Sequence, residues 1–376
     1  MQYRFDDIAI NSISKKKPTT SDKDTYLGLE HLDSGNLTVA RFGSDVAPIG
    51  EKLIMKKGDV LFGKRRAYQR KVAIAPFDGI FSAHGMVLRP KEKVVYKDFF
   101  PLFISSDYFL DAAIKISVGS LSPTINWSAL KELEFELPPI DRQKQISKIL
   151  WAAIEAKNTY KTLFLLTEQI VKSRFVEMFG DFVSPVRGVE IKRIVDVCDK
   201  ITDGTHQTPD YTDTGYAFLS SKDVKNGYID WSNIRYISQE LHDELSNRIS
   251  PQRNDILLAK NGTTGIAALV ETDNIFDIYV SLALLRPKAD INPVYLLSAL
   301  NNDITKRQFN AGLKGIGVPN LHLNVIKEVK LLIAPTDDQN RFAEFVRQAD
   351  KSKFELQRTI NELEATYKSI LRENLG

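Results

Sequence analysis

Seven basic side chains crowd one stretch of this chain: Lys56, Lys57, Lys64, Arg65, Arg66, Arg70 and Lys71, with only Asp59 opposing them. Tyr68 and Gln69 sit inside the cluster and Gly63 opens its denser part. Clustered Lys and Arg neutralise phosphates and release counterions, while Arg and Gln can also pair with base edges in a major groove. For a single run of this kind, a solvated surface face is the competing reading. A second stretch, Lys260-Asn261-Gly262-Thr263-Thr264-Gly265, also follows an apparent strand and is also small, polar and glycine-bearing. From it Lys260, Asn261 and Thr263 join the candidate contacts. A third, Thr202-Asp203-Gly204-Thr205-His206-Gln207-Thr208-Pro209, offers Thr205, His206 and Gln207 as hydrogen-bonding groups. Its His and Asp could suggest a metal site or a general base, but no further His or carboxylate stands at ligand spacing.

What is missing narrows the chemistry. There is no Gly-x-x-x-x-Gly-Lys-Ser/Thr loop, no His-Glu-x-x-His and no Gly-x-Ser-x-Gly elbow. The Pro-Pro turn of an amino-methyltransferase needs a polar first residue and an aromatic last, and Leu137-Pro138-Pro139-Ile140 has neither. The glycines of Gly312-Leu313-Lys314-Gly315-Ile316-Gly317 miss the dinucleotide-binding spacing. No catalytic residue, cofactor site or metal site is expected in the chain.

The elements that would position these loops come in duplicate. At a shift of 196 residues, Gly119–Gly180 aligns without a gap on Gly315–Gly376, with 14 identities in 62 positions, where chance would give about four. Pro123/Pro319, Pro139/Pro335, Asp141/Asp337, Gln143/Gln339 and Gly180/Gly376 are among them. The match continues more loosely through Gly58-Asp59-Val60-Leu61 against Asn254-Asp255-Ile256-Leu257, and Leu88-Arg89-Pro90 against Leu285-Arg286-Pro287. From Asp141 to Met178 and from Thr336 to Leu375 there is neither proline nor glycine. Apolar residues recur there in steps of three, four and seven: Ile146, Ile149, Ala153, Tyr160, Phe164, Val171 and Phe175, then Phe342, Phe345, Ala349, Leu356, Ile360, Tyr367 and Leu371. That is one face of a long helix, twice. Thr336-x-x-Gln339 fits a capping box, and Gly180 and Gly376 stand where helices end. Two matching amphipathic rods most simply pair with each other as an antiparallel coiled coil.

The preceding blocks read as strands broken by turns, around Lys71–Ala75, Gly85–Leu88, Asp255–Ala259 and Tyr279–Ala283. The expected architecture is α+β with an internal pseudo-two-fold duplication: globular α/β blocks at 1–138 and 181–334, long helices at 139–180 and 335–376. With 43% hydrophobic residues and 10% aromatics the chain supports real cores, and a net charge of only +3 confines any nucleic-acid affinity to local patches. The lone Cys198 excludes a disulfide framework, and no apolar run reaches membrane-spanning length. A cytoplasmic protein without a signal peptide is expected.

In this order, and twice over, the motifs resemble the specificity subunit of a type I restriction-modification system. The resemblance covers the whole chain. It is carried by Gly119-Ser120-Leu121-Ser122-Pro123-Thr124-Ile125 leading through Leu137-Pro138-Pro139 to Asp141-Arg142-Gln143-Lys144-Gln145-Ile146, and again by Gly315-Ile316-Gly317-Val318-Pro319-Asn320-Leu321 leading through Ala334-Pro335 to Asp338-Gln339. Gly28-Leu29-Glu30-His31-Leu32, Leu61-Phe62-Gly63-Lys64-Arg65-Arg66 and Asp203-Gly204-Thr205-His206-x-x-Pro209 fit the family's recognition domains. The resemblance implies a non-catalytic reader of double-stranded DNA: two target-recognition domains each bind half of a split, asymmetric site, and the helices act as a ruler between them. Modification subunits that carry S-adenosylmethionine and methylate adenine would dock on the chain, and restriction subunits would join them. The rival readings are a self-contained DNA methyltransferase or nuclease with a diverged site, and a coiled-coil adaptor without DNA affinity.

Overall fold

In the computed structural model, which describes residues 1–313 and 320–375, the chain divides into two compact units. One comprises Met1–Lys161 and Gln357–Gly376, the other Thr162–Leu356. Positions 314–319 and 376, which carry Gly315, Pro319 and Gly376 of the repeat, lie outside the described residues.

In the first unit, a four-stranded antiparallel sheet runs in the order Ala9–Ser12, Met86–Pro90, Val60–Phe62, Val72–Ile74. Its apolar residues alternate in direction, as strand geometry requires. Val60, Phe62, Met86 and Leu88 face a core shared with the helices. Leu61, Ala73 and Val87 face a second core, under a sheet ordered Lys15–Lys16, Lys52–Met55, Gly79–Phe81, Tyr26–Leu27 whose last pair is parallel. A sheet covered on both faces needs apolar residues without alternation, which is why these strands read as short continuous runs.

The second unit repeats this plan. Cys198–Asp203, Leu282–Pro287, Ile256–Ala259 and Ala267–Leu269 form the antiparallel sheet. Ile256, Leu258, Ala283 and Leu285 point to the helical core, and Leu257, Ala259, Leu282 and Leu284 to the other. The covering sheet has three strands here, Arg235–Ile237, Tyr216–Leu219 and Phe276–Ile278, and keeps the parallel pair. Val280 and Ser281, expected within a strand, form the turn that precedes it, Tyr279 makes an isolated bridge to Thr205, and the strand begins at Leu282. Among the described residues no helix is long and apolar enough to cross a membrane.

The long helices are Ile140–Phe179 and Thr336–Leu375, each of 40 residues, or about 60 Å. They pack together antiparallel within each unit. In the first unit Leu371 and Leu375 join Ile146 and Leu150 in the core, Arg142 Nε donates to Asn374 Oδ1 (3.0 Å), and Lys157 pairs with Glu364 (3.6 Å). In the second, Phe175 and Phe179 meet Phe342 edge-on, and Lys353 reaches Glu168 (3.9 Å). The expected apolar face needs one correction. Ile149 is 54% exposed while Leu150 is fully buried, because steps of four from Ile146 through Leu150 to Ile154 track the packed face and a step of three falls off it.

The start of the C-terminal helix also departs from expectation. Pro335 is its N-cap, accepting from the Asp338 and Gln339 amides (2.9 and 3.0 Å), and a proline has no N–H for a capping box. Gln339, only 2% exposed, instead takes the Asn292 N–H on Oε1 (2.8 Å) and donates Nε2 to the Ala334 carbonyl (2.8 Å). Gln143 does the same one repeat earlier, accepting from Tyr96 N–H (2.7 Å) and donating to the Pro138 and Val94 carbonyls (2.8 and 3.2 Å). Gln143→Ala would strand three buried backbone groups, so a loss of about 2–4 kcal/mol is expected in urea titration. A change below about 0.5 kcal/mol would show that water replaces the amide.

Candidate nucleic-acid interface

The basic loop of the first unit leaves the strand Val60–Phe62 and returns along Val72–Ile74, pinned by Gly63 N–H to Lys71 C=O (2.9 Å). Two further bonds tie it down: Ile125 N–H donates to Lys64 C=O (2.9 Å) and Ala67 N–H to Pro123 C=O (3.2 Å). A short 3-10 turn, Ala67–Gln69, projects Tyr68, which is 56% exposed. Arg66 and Arg70 flank this turn with φ of 54° and 49°, left-handed conformations that cost a non-glycine residue about 1 kcal/mol. Strain of this kind persists where the surroundings over-determine it.

The cations of this loop are not equivalent. Arg65 and Arg66 are exposed. Arg70 is committed to Asp107 (2.8 Å) and Asp111 on the neighbouring helix Asp107–Lys115. Lys71 donates to the Leu29 carbonyl (2.6 Å), and Gln69 is half-buried. Lys64 has no ion pair among the described residues; burial first, and then the Lys15 charge, hold its ammonium below the usual range. Sequence reasoning missed His84, which lies against Arg65 (Nη1 to Nε2, 3.4 Å) and whose carbonyl accepts the Arg65 N–H (3.2 Å). Its imidazole is pushed below the ordinary value by burial and then by Arg65, Lys64 and Lys52. Nothing in the run Ser82-Ala83-His84-Gly85 marks it; only the fold folds it back onto the arginine.

In the second unit the equivalent loop is held by the same bonds. Leu321 N–H donates to Lys260 C=O (2.9 Å), the counterpart of Ile125 to Lys64, and Asn261 bridges Asn320 as Arg65 bridges Thr124. Gly262 stands where Arg66 stands and shares its left-handed φ, 75°, at no steric cost. Beyond the lysine that both loops carry, Lys64 and Lys260, the side chains differ. Lys260 is 5% exposed, its ammonium 2.5 Å from Asp203 Oδ2, so it is not presented at the surface as its sequence position suggests. The pair joins the two loops singled out in this half, because Asp203 begins the turn that carries Thr205, His206 and Gln207. Gly204 permits that turn: a Cβ there would lie 1.9 Å from the Ile278 carbonyl oxygen. Thr205 is fixed by backbone bonds to Ile278 and Val280 (3.1 and 2.9 Å), while His206 and Gln207 are exposed. Arg248 (3.2 Å) and His206 (3.7 Å) complete the surroundings of Asp203. Arg248 lies 45 residues from Asp203 and carried no local signal.

The sequence's one thiol adds no nucleophile. Cys198 is buried, and burial pushes it up to about 12. No group of His, Cys, Asp and Glu among the described residues could hold a metal ion.

A family model described as "Type I restriction modification DNA specificity domain" matches residues 5–163 and 187–365. Among curated proteins, the specificity subunit of the type I restriction enzyme EcoKI from Escherichia coli (strain K12) is 24% identical over 301 residues, covering 73% of this chain and 62% of that protein. The MjaVIII specificity subunit from Methanocaldococcus jannaschii is 22% identical over 350 residues, covering 86% and 79%. The first match therefore spans less than two thirds of the relative's own length. Among solved structures, a chain from work on complex assembly and conformational transition of the type I R-M system superposes with TM-score 0.61 at 17% identity, covering 100% of this chain and 97% of that one. The type I restriction-modification S subunit from M. genitalium gives 0.56 at 13%, covering 100% and 96%. These structures share the fold.

Removing Lys260 tests whether it is a strut. Lys260→Met leaves the buried Asp203 carboxylate with only the more exposed Arg248 and His206, and about 3 kcal/mol of stability should go. Thr263→Ala, at an exposed position of the same loop, should stay within about 0.5 kcal/mol. Equal effects in thermal denaturation would mean the ion pair is not what holds the loops.

Proposed function

Since this chain belongs to the family of type I restriction-modification DNA specificity proteins, we propose that it is the non-catalytic specificity subunit of such a complex, reading a bipartite asymmetric site in double-stranded DNA. The observation that carries this reading is the pair of equivalent loops, fixed by the same backbone bonds yet bearing Arg65, Arg66 and Tyr68 in one unit and Asn261, Gly262 and Thr264 in the other. A scaffold repeated with different side chains at the same place suits a ligand that presents two unlike half-sites.

In this proposal the target-recognition domains are 1–138 and 181–334, and the helical segments 139–180 and 335–376 serve as their connectors. Lys64, Arg65, Arg66, Tyr68 and Gln69 contact one half-site, with Arg70 and Lys71 bracing that loop. Thr205, His206, Gln207, Asn261 and Thr263 contact the other, with Lys260 as their strut. Modification subunits supply S-adenosylmethionine and adenine methylation, restriction subunits complete the assembly, and the chain works in the cytoplasm. Specificity proteins with these names are what the chain is similar to, and among the described residues no group of His, Cys, Asp and Glu could hold a metal ion.

Two experiments bear on this. Arg65→Ala with Arg66→Ala should weaken DNA binding by the assembled complex at moderate salt, by about 1–3 kcal/mol per lost base contact and less per phosphate contact, and should flatten the salt dependence. Unchanged affinity and slope would remove the basic loop from the interface. Replacing residues 181–334 by the matching block of a related chain, then mapping methylated adenines after co-expression with the modification subunit, should change one half of the site only. Both halves changing together would defeat the two-reader model.

A further inference from the structure

The loop between Gly43 and Gly50 carries the apolar side chains Val46 and Ile49 into water, 73% and 94% exposed. Its root is fixed: Gly43 N–H donates to Tyr26 C=O (2.8 Å), Ser44 N–H to Lys23 C=O (3.0 Å), and Phe42 packs edge-on against Phe77 (4.9 Å). The tip is stiffened by Pro48 before Ile49, by Ser44 Oγ donating to the Val46 carbonyl (2.5 Å), and by the Lys52 ammonium donating to the Ile49 and Gly50 carbonyls. A scattered exposed aliphatic needs no explanation. Its position gives this one a meaning.

Lys52 begins the strand in which Leu53 pairs with Phe81, and the chain leaving Phe81 turns through Ser82 to His84. His84 in turn touches Arg65 (3.4 Å). Backbone register thus sets the Ile49 tip on the flank of the Lys64–Arg65 loop, all within the first unit. Lys52 lies within electrostatic reach of His84, together with Arg65 and Lys64. The tip has Asp45 and Glu51 beside it in the chain, while the adjoining strands and loop of the unit bring Lys15, Lys52, Lys64 and Arg65, a net positive flank that complements a polyanion whose interior is apolar, which describes a stacked duplex. A protein surface would have to offset these cations as well as fill the tip.

We propose that Ile49 is a wedge that inserts at a base step beside the half-site contacted by the Lys64–Arg66 loop, partly unstacking it. The inference rests on the DNA-reading function proposed above. Insertion of aliphatic side chains between base pairs costs unstacking energy and is cheapest at pyrimidine–purine steps. The wedge therefore adds specificity for a deformable step without a hydrogen bond to any base. Lys52 holds the tip's backbone in place for this.

The test uses the full chain assembled with its modification subunits, and duplexes carrying 2-aminopurine at successive steps in and beside that half-site, never at the methylated base. The parent should raise the fluorescence at one step. Ile49→Ser should abolish that rise and weaken binding about tenfold with the salt slope unchanged, and Ile49→Leu should restore both. Since the side chain is almost wholly in water, folding is not at stake. A fluorescence rise that survives Ile49→Ser, or no rise at any step while the parent binds tightly, overturns the wedge and leaves the DNA-reading function standing. Loss of subunit assembly in Ile49→Ser with DNA contacts intact also overturns it, by making the tip a protein dock. A parent complex that binds no DNA overturns both proposals.

Discussion

One buried amide at the base of each long helix holds the architecture of its unit. A helix of 40 residues leaves four backbone donors unpaired at its start, and its direction relative to the adjoining sheets must be fixed by something at that end. The Pro139 and Pro335 carbonyls take some of those donors, and the side chains of Gln143 and Gln339 fix the direction. Each accepts an N–H from a segment that follows the central sheet, at Tyr96 and at Asn292, and each donates to the carbonyl run leading into the helix, at Pro138 and at Ala334. The amide therefore stitches sheet, connector and helix at a single buried point. Its partners are backbone groups, so the sequence around them is free to change while the junction stays.

That freedom is visible throughout the repeat. Asp59 and Arg89 form a two-pronged ion pair (2.7 and 2.8 Å) and so do Asp255 and Arg286 (2.8 and 2.7 Å), with Asp59 Oδ2 also accepting Lys56 N–H and Asp255 Oδ2 accepting Gln252 N–H. Each bridge joins the turn before one central strand, Val60–Phe62 or Ile256–Ala259, to the end of the strand beside it, Met86–Pro90 or Leu282–Pro287, so the hairpin that bears the candidate loop leaves both units in the same way. Scaffold interactions are copied and surface side chains are not. The left-handed residue of the loop is Arg66 in one copy and Gly262 in the other. Arginine there carries strain that glycine avoids.

The periodic and the repeated were legible in the amino-acid order. Apolar spacing located both long helices to within a residue, and the shift of 196 placed Lys260 opposite Lys64, which the shared Leu321 and Ile125 bonds bear out. What escaped was decided by tertiary partners. Ile149 and Leu150 are both apolar neighbours, and only packing selects which is covered. Thr336 and Gln339 have the spacing of a capping box, but Pro335 removes the donor and the sheet segment supplies better partners. His84 and Arg248 reach their loops from strands or turns far along the chain. The candidate site's residue list was therefore readable as a set of loops, while the division of those residues into presented and buried ones was not.

That division has a physical logic that differs between the copies. In the second unit the loop lysine is spent internally: Lys260 neutralises Asp203, and the pair locks the turn of Thr205–Gln207 to the loop of Asn261–Thr263. The exposed groups left there are mostly neutral hydrogen-bonding side chains, suited to reading base edges at short range. In the first unit no carboxylate among the described residues pairs with Lys64, and the loop is shaped instead by backbone bonds to Pro123 and Ile125 and by Arg70 gripping Asp107 and Asp111. Burial first, and then neighbouring cations, hold His84 and Lys64 below their ordinary values. One unit thus pairs its loop lysine within the fold, and the other leaves Arg65 and Arg66 exposed beside a lysine without an ion pair among the described residues.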